Sequence, residues 1–206
     1  GKKLMSKYEN IPGYIEDEFI QTTGNNAITL YNKGYYGFPN EKGVKLNGFE
    51  TLHLLELDRI VVEDNGNRLT SQQISKYFSK KIDNFMIRYQ VYKDLRNRGY
   101  IVNLGVGSSF FFRLYERAAT PNKDGAKYYV IPLKEGGFIP LTDMRELIQI
   151  SKESKKILVV GMLDTVGDVS YLKVSETKLK NIAHTKRFVN THGFKWEKSM
   201  IDYENW

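Results

Sequence analysis

The 206-residue sequence predicts an α+β fold, and three observations carry that expectation. The first ninety or so residues hold short apolar segments punctuated by glycine and asparagine, the pattern of small strands and turns around short helices. From Asp83 a helical periodicity gives way to apolar runs in the order strand, strand, strand, helix, strand, strand. Hydrophobic residues make up 41% of the chain and charged residues 27%, which suits an ordinary globular protein with a buried core.

Taken in order, Tyr14-Ile15-Glu16 is the first of the short segments, and Gly24-Asn25-Asn26 and the aromatic run Lys33-Gly34-Tyr35-Tyr36-Gly37-Phe38-Pro39 follow it. Phe49, Leu52 and Leu55 recur at helical spacing over residues 49–57. Ile60-Val61-Val62 then reads as a strand closed by the Asp64-Asn65-Gly66 turn. Thr70 with Gln73 three residues later has the capping-box pattern, in which the two side chains satisfy otherwise unpaired backbone amides. A helix therefore starts there and runs to about Phe78.

From Asp83 the spacing predicts a longer helix, with Asp83 or Asn84 as its cap, Phe85, Tyr89, Tyr92 and Leu95 on one face, and Gly99 ending it. Residues 100–104, 110–115 and 128–133 read as strands, the last preceded by a polar loop holding Pro121, Asn122, Asp124 and Gly125. Pro140 and Thr142 mark the start of a helix whose Leu141, Met144, Leu147 and Ile148 face inward and which ends near Lys155 and Lys156. Residues 157–163 have the unbroken apolar character of a buried strand, and turn through Asp164-Thr165-Val166-Gly167-Asp168 into the alternating strand 169–174. Residues 175–206 are lysine-rich first and aromatic later, with Phe188, Phe194, Trp196 and Trp206. A short helix with an ordered end and a partly mobile tail fit this stretch equally well.

Composition bounds the function before any motif does. Zero cysteines exclude disulfides, thiolate nucleophiles and zinc–thiolate sites, and three histidines, at 53, 184 and 192, leave little material for a metal cluster. No metal and no cofactor are expected. No apolar run approaches the roughly 20 residues that span a bilayer, and Gly1-Lys2-Lys3-Leu4-Met5 lacks the apolar stretch of a signal peptide. An intracellular, cytoplasmic protein without a membrane partner is the expectation. A net charge of +7 attracts polyanions, but scattered lysines also serve solubility, so charge alone tilts the reading only slightly toward nucleic acid. His53 falls on the apolar face of its helix and reads as a core or boundary histidine. Arg88, Lys93, Arg96 and Arg98 form a charged helix face, ordinarily solvated and in an RNA enzyme a contact for phosphate.

Six collinear segments carry a resemblance. They are Leu30-Tyr31-Asn32-Lys33-Gly34-Tyr35-Tyr36-Gly37, Glu50-Thr51-Leu52-His53-Leu54-Leu55-Glu56, Tyr89-Gln90-Val91-Tyr92-Lys93-Asp94-Leu95-Arg96-Asn97-Arg98-Gly99-Tyr100, Phe112-Arg113-Leu114-Tyr115-Glu116-Arg117, Ala126-Lys127-Tyr128-Tyr129-Val130, and Lys155-Lys156-Ile157-Leu158-Val159-Val160 leading to Gly167-Asp168-Val169. In this order and at these separations the chain resembles the archaeal tRNA-intron (tRNA-splicing) endonuclease family, and a collinear set is far more specific than one short motif. The resemblance implies a two-part subunit: a small N-terminal α/β domain over residues 1–82 and a nuclease-like C-terminal domain over 83–174, a mixed sheet with flanking helices. An extension of unassigned role over 175–206 completes the chain. It also implies the family's activity, metal-independent cleavage of precursor tRNA at a bulge-helix-bulge by a tyrosine, a histidine and a lysine, leaving a 2′,3′-cyclic phosphate and a 5′-hydroxyl.

The chemistry explains those residue types. Attack of a ribose 2′-oxygen on its own phosphate needs a group to take the 2′ proton, a group to protonate the departing 5′-oxygen, and a cation beside the phosphorane charge. By the resemblance, Tyr115 in its Tyr-x-Arg setting matches the tyrosine, and Lys156, opening the strand before the aspartate turn, matches the lysine. The histidine has no match. The family's Gly-His-Ser/Ala-Lys-Tyr-like stretch reads Asp124-Gly125-Ala126-Lys127-Tyr128 here, so Gly125 or Ala126 fills the slot, and neither moves a proton. About two turns before the lysine the family's catalytic subunits carry an arginine that clasps a flipped base. Gln149 stands there and offers no cation for stacking. Arg117, Lys127 and Gln149 are the expected RNA contacts. Asp164 and Asp168 match an acidic loop that inserts into a basic cleft of an opposing subunit, and so are expected assembly contacts. Outside that frame Tyr115 is a packed strand-end tyrosine and Lys156 a complement to the helix dipole worth about 0.5 kcal/mol, while the aspartate turn is a plain hairpin connection.

Three functions fit this sequence. One is a structural, non-catalytic subunit of a heteromeric enzyme, paired through its C-terminal strands with a homologous histidine-bearing catalytic subunit in a dimer of heterodimers. Another is an active enzyme whose proton comes from a different residue or whose histidine was removed by engineering. The last is an RNA-binding scaffold that kept the fold and lost the reaction.

Overall fold

The computed structural model describes residues 10–105, 108–176 and 194–198. The chain divides into two compact units, Gly1–Met86 and Ile87–Trp206, and the described residues hold two mixed sheets and five helices, the α+β class expected.

In the first unit the strands are β1 (Ile11–Glu16), β2 (Phe19–Thr22), β3 (Phe38–Pro39), β4 (Val44–Leu46), β5 (Ile60–Asp64) and β6 (Asn67–Arg68). They form a sheet in the order β3-β4-β2-β1-β5-β6, with β1 antiparallel to β2 and parallel to β5. The β5–β6 hairpin turns where the Asn-Gly pair demanded it, with Asn65 at φ 50 and Gly66 at φ 79. Helix α1 (Ile28–Gly34) lies inside a stretch that the sequence shows only as punctuation. It has no side-chain cap at Ala27 and stops at Tyr35 in the left-handed region, so neither end carries the usual signal. Helix α2 (Gly48–Glu56) opens on a capping box between Asn47 and Glu50. It is buried over every residue from Gly48 to Leu54. The fully buried leucines are Leu52 and Leu54, whereas Leu55, expected on the inner face, is half-buried. His53 is a core histidine, 4% exposed. Helix α3 (Ser71–Ser79) begins on the expected Thr70–Gln73 box, with Thr70 Oγ1 accepting from the Gln73 amide at 3.2 Å and Gln73 Oε1 from the Thr70 amide at 2.8 Å. Phe78 from this helix packs where Gly48 leaves room, since a Cβ there would sit 2.7 Å from the Phe78 ring.

Helix α4 (Phe85–Asn97) comes next, and Phe85, Tyr89, Tyr92 and Leu95 are buried as their spacing requires, with Val91 beside them. Asn84 before it adopts φ 54, not the extended backbone of a usual cap residue. Gly99 at φ 90 ends the turn, and the Tyr100 amide reaches back to the Leu95 carbonyl at 3.1 Å. The second sheet comprises β7 (Ile101–Gly105), β8 (Ser108–Tyr115), β9 (Tyr128–Lys134), β10 (Ile157–Leu163), β11 (Val169–Glu176) and β12 (Phe194–Lys198), in the order β12-β11-β10-β9-β8-β7. Only β9 and β10 are parallel, and helix α5 (Leu141–Glu153) makes the crossover between them. Met144, Leu147 and Ile148 of α5 pack with Phe111, Tyr129, Ile131, Leu158, Val160 and Val174 on one face of this sheet. On the other, Tyr92 meets Phe112 edge-on at 5.9 Å and Gly161 admits Val91. Burial on both faces explains the unbroken apolar run of β10. Leu141, expected to face inward, is 36% exposed: it is the first helical residue, after Pro140, and the inward row begins at Met144.

Two expectations about charge and tail change. Arg96 and Arg98 are half-buried, not solvated. Arg98 Nε donates to Asp94 Oδ2 at 2.7 Å, Tyr171 Oη donates to the same oxygen at 2.6 Å, and the Arg98 guanidinium lies 5.2 Å over the Tyr171 ring. Of residues 175–206 the described part is strand: Ser175 and Glu176 finish β11, and β12 pairs antiparallel along it from Leu172↔Lys198 to Glu176↔Phe194. His184 and His192, and the aromatic residues Phe188 and Trp206, lie outside the described residues.

Candidate active site

The registers of three strands bring the expected residues to one end of the second sheet. Leu114 of β8 pairs with Tyr128 of β9, and Tyr128 with Ile157 of β10. One step further out, β8 presents Tyr115, the residue before β9 is Lys127 and the residue before β10 is Lys156. Backbone bonds fix that outer row, with the Lys127 amide on the Leu114 carbonyl at 2.9 Å and the Ile157 amide on the Lys127 carbonyl at 3.0 Å. Adjacent strands lie about 4.8 Å apart, so Tyr115 and Lys156 flank Lys127 within roughly 10 Å of each other. Tyr115 is 6% exposed and Lys156 half-buried. The Lys156 amide bonds the Ser151 carbonyl at 2.7 Å, just after Lys155 turns through φ 56 at the end of α5.

The loop before β9 supplies the remaining position. The Asp124 carboxylate accepts from the Thr120 amide at 2.7 Å and closes a turn that delivers Gly125 to the surface and leaves Ala126 buried. A Cβ built on Gly125 would lie 3.1 Å from Lys156 Nζ. Of the two residues that compete for the empty slot, Gly125 is thus the one whose side-chain direction meets the lysine amine.

The cations nearby are already engaged within the chain. Lys127 is paired with Glu116, and its Nζ lies 5.3 Å over the Tyr128 ring. The hydrogen bond to Glu116 holds its ammonium above the ordinary lysine value, with desolvation opposing. The Arg117 guanidinium stacks 4.8 Å over Tyr100. Gln149, exposed on α5, donates to Glu153 Oε1 at 2.8 Å. At the opposite end of β10, Asp164 Oδ1 accepts the amides of Val166 and Asp168, both at 2.9 Å, and so shapes its own turn. Asp168 and Val166 project from that turn, Val166 being 80% exposed.

Residues 85–171 match a family model described as tRNA intron endonuclease, catalytic C-terminal domain, and residues 11–74 match one described as tRNA intron endonuclease, N-terminal domain. A tRNA-splicing endonuclease from Methanococcus vannielii is 32% identical over 181 residues, 85% of this chain and 100% of the relative. The chain belongs to the tRNA intron endonuclease family. A tRNA-splicing endonuclease from Thermococcus kodakarensis is 30% identical, covering 80% of the chain and 97% of the relative. A third, from Methanococcoides burtonii, is 33% identical over 73% of the chain, which spans only 42% of that relative's length. This tRNA intron endonuclease chain thus carries an ammonium and a phenol at one sheet end, with a glycine facing the ammonium. The arrangement can hold an anion and shift a proton at the tyrosine oxygen, and it offers no side chain at Gly125 to protonate a leaving group. Among the described residues no helix is long and apolar enough to cross a membrane. Reasoning from the sequence missed Glu116 and Glu153. Their partners Lys127 and Gln149 were singled out, and the only signal for either pair was the i, i+4 spacing of Gln149 and Glu153.

Proposed function

We propose that this chain is the structural, non-catalytic subunit of a heteromeric tRNA intron endonuclease that acts on precursor tRNA inside the cell. The observation that carries this reading is the glycine opposite Lys156. Transfer of the phosphodiester to the ribose 2′-oxygen breaks the bond to the 5′-oxygen, which must gain a proton as the 2′-oxygen loses one. Tyr115 suits the second task and Lys156 the charge between, but Gly125, whose Cβ would stand 3.1 Å from the amine, has no proton to give. Gln149, tied to Glu153, supports the same reading because it cannot clasp a base as a cation would.

In this reading residues 1–82 and 83–174 act as the family's two domains, and 175–206 as an added segment. A homologous subunit bearing the histidine performs the cleavage, and Asp164 and Asp168 present the acidic turn to it in a dimer of heterodimers. Arg117 and Lys127 lie beside the RNA. The test is reconstitution: this chain and a Tyr/His/Lys-bearing partner are mixed with a bulge-helix-bulge RNA in the presence of EDTA. The mixture is expected to cleave well beyond the partner alone and to leave a 2′,3′-cyclic phosphate and a 5′-hydroxyl. No gain over the partner, or full cleavage by this chain unaided, overturns the reading.

A further inference from the structure

Helix α5 turns Met144, Leu147, Ile148 and Ser151 inward. At about 100° per residue, Arg145, Gln149 and Lys152 then fall in a strip roughly 60° wide along one exposed flank, with Asp143 and Glu146 outside it and Glu153 at its border, its carboxylate held by Gln149. The strip runs toward Lys156, just past the helix end. From Arg145 to the last helical residue, Glu153, the flank is about 12 Å long at 1.5 Å per residue, a length over which a nucleic-acid strand carries several phosphates at roughly 3.4 Å of axis each.

Helix energetics explain only part of this pattern. A cation in the last turn, such as Lys152, is favoured by the helix dipole. Arg145 is the fifth residue of the helix, past the first turn over which the dipole acts, so the dipole does not account for its charge. The only neutral member of the strip, Gln149, still offers a hydrogen-bonding amide and draws the Glu153 carboxylate to itself at 2.8 Å.

We propose that this flank of α5, through Arg145 and Lys152, is a track for the sugar-phosphate backbone of RNA leading to Lys156. The inference rests on the reading that the chain engages precursor RNA, and it adds a binding surface one helical turn beyond Gln149. Arg145 and Lys152 are here contacts for phosphate, which fix the register of the RNA and carry no base specificity.

The experiment measures affinity for a bulge-helix-bulge RNA across a range of salt, using the full chain alone and mixed with the Tyr/His/Lys-bearing partner of the reconstitution. Arg145→Glu and Lys152→Glu are each expected to weaken binding by about 5-fold or more near 0.1 M salt and to lower the slope of log affinity against log salt by about one. Arg145→Lys should keep most of the affinity. Arg145→Glu exchanges one exposed helix-forming residue for another, and an unchanged urea midpoint for the variant would show that lost binding does not reflect unfolding. Lys76→Glu on α3 makes the same change of net charge in the other unit and should stay within about twofold of the unaltered chain. Equal losses for Arg145→Glu and Lys76→Glu would reduce the effect to overall charge and overturn the track. Unchanged RNA affinity in Arg145→Glu would overturn it too, and loss of the partner in place of RNA would make the flank a protein interface. RNA that fails to bind even the unaltered chain and complex would remove the functional reading itself, and the track with it.

Discussion

Lys156 is poised by its backbone, between a helix end and the first residue of β10, with its amine turned to a position that bears only hydrogen. If the chemistry belongs to a partner, neither Tyr115 nor Lys156 of this chain contributes to it. Tyr115→Phe and Lys156→Ala are then expected to leave kcat of the assembled enzyme within about threefold, where loss of a working proton-transfer group costs roughly 10²- to 10⁴-fold. Steady-state cleavage with saturating RNA checks this, and a hundredfold fall in kcat for either variant would return the chemistry to this chain. Tyr115, Lys127 and Lys156 were legible only through the family resemblance; that they share one sheet end follows from the strand registers, which no local pattern reports. The choice between Gly125 and Ala126 was not legible. It depends on a loop turn held by the Asp124 carboxylate, and no periodicity reports that. The inward use of Asp164 Oδ1 and the tie between Gln149 and Glu153 are likewise rotamer choices, set by local hydrogen bonds.

Among the elements, those with both a periodic face and chemical end signals were read correctly, as with α3 between Thr70 and Phe78 and α4 up to Gly99. Helix α1 escaped because its ends are an alanine without a cap bond and a left-handed tyrosine. Leu141 was misplaced because helical periodicity does not say where along a helix the core begins. Gly161 shows what the sequence conceals in β10. A Cβ there would stand 2.8 Å from Val91 Cγ1, 3.2 Å from Tyr171 and 3.3 Å from Val130, so α4 approaches the sheet through a residue without a side chain. Gly161→Ala is expected to overpack this contact and cost about 1–3 kcal/mol. Urea unfolding measures it, and an unchanged midpoint would mean that the helix shifts without cost.

For the whole molecule, the α+β class and the mixed second sheet followed from element order and from the family resemblance, whereas the order of the first sheet and the sixth strand of the second did not. Residues 175–206 were open between helix and tail, and β12 forms because β11 offers it a row of backbone donors and acceptors, a long-range pairing with no local signature. If β12 shields that row, a chain ending at Glu176 exposes it. Such a chain is expected to associate more strongly, with itself or with its partner subunit, and sedimentation over a concentration series would detect the gain. A truncated chain that behaves like the full-length one would show that the strand guards nothing.

The strand on β11 is tethered to the edge it covers. A newcomer seeking the same backbone row would contend with a rival on the same chain, whose effective concentration is set by the covalent connection between them. Docking at that border therefore becomes an exchange of one ribbon for another. Its affinity is a difference between two pairings, and it can be tuned by residues that never touch the incoming chain.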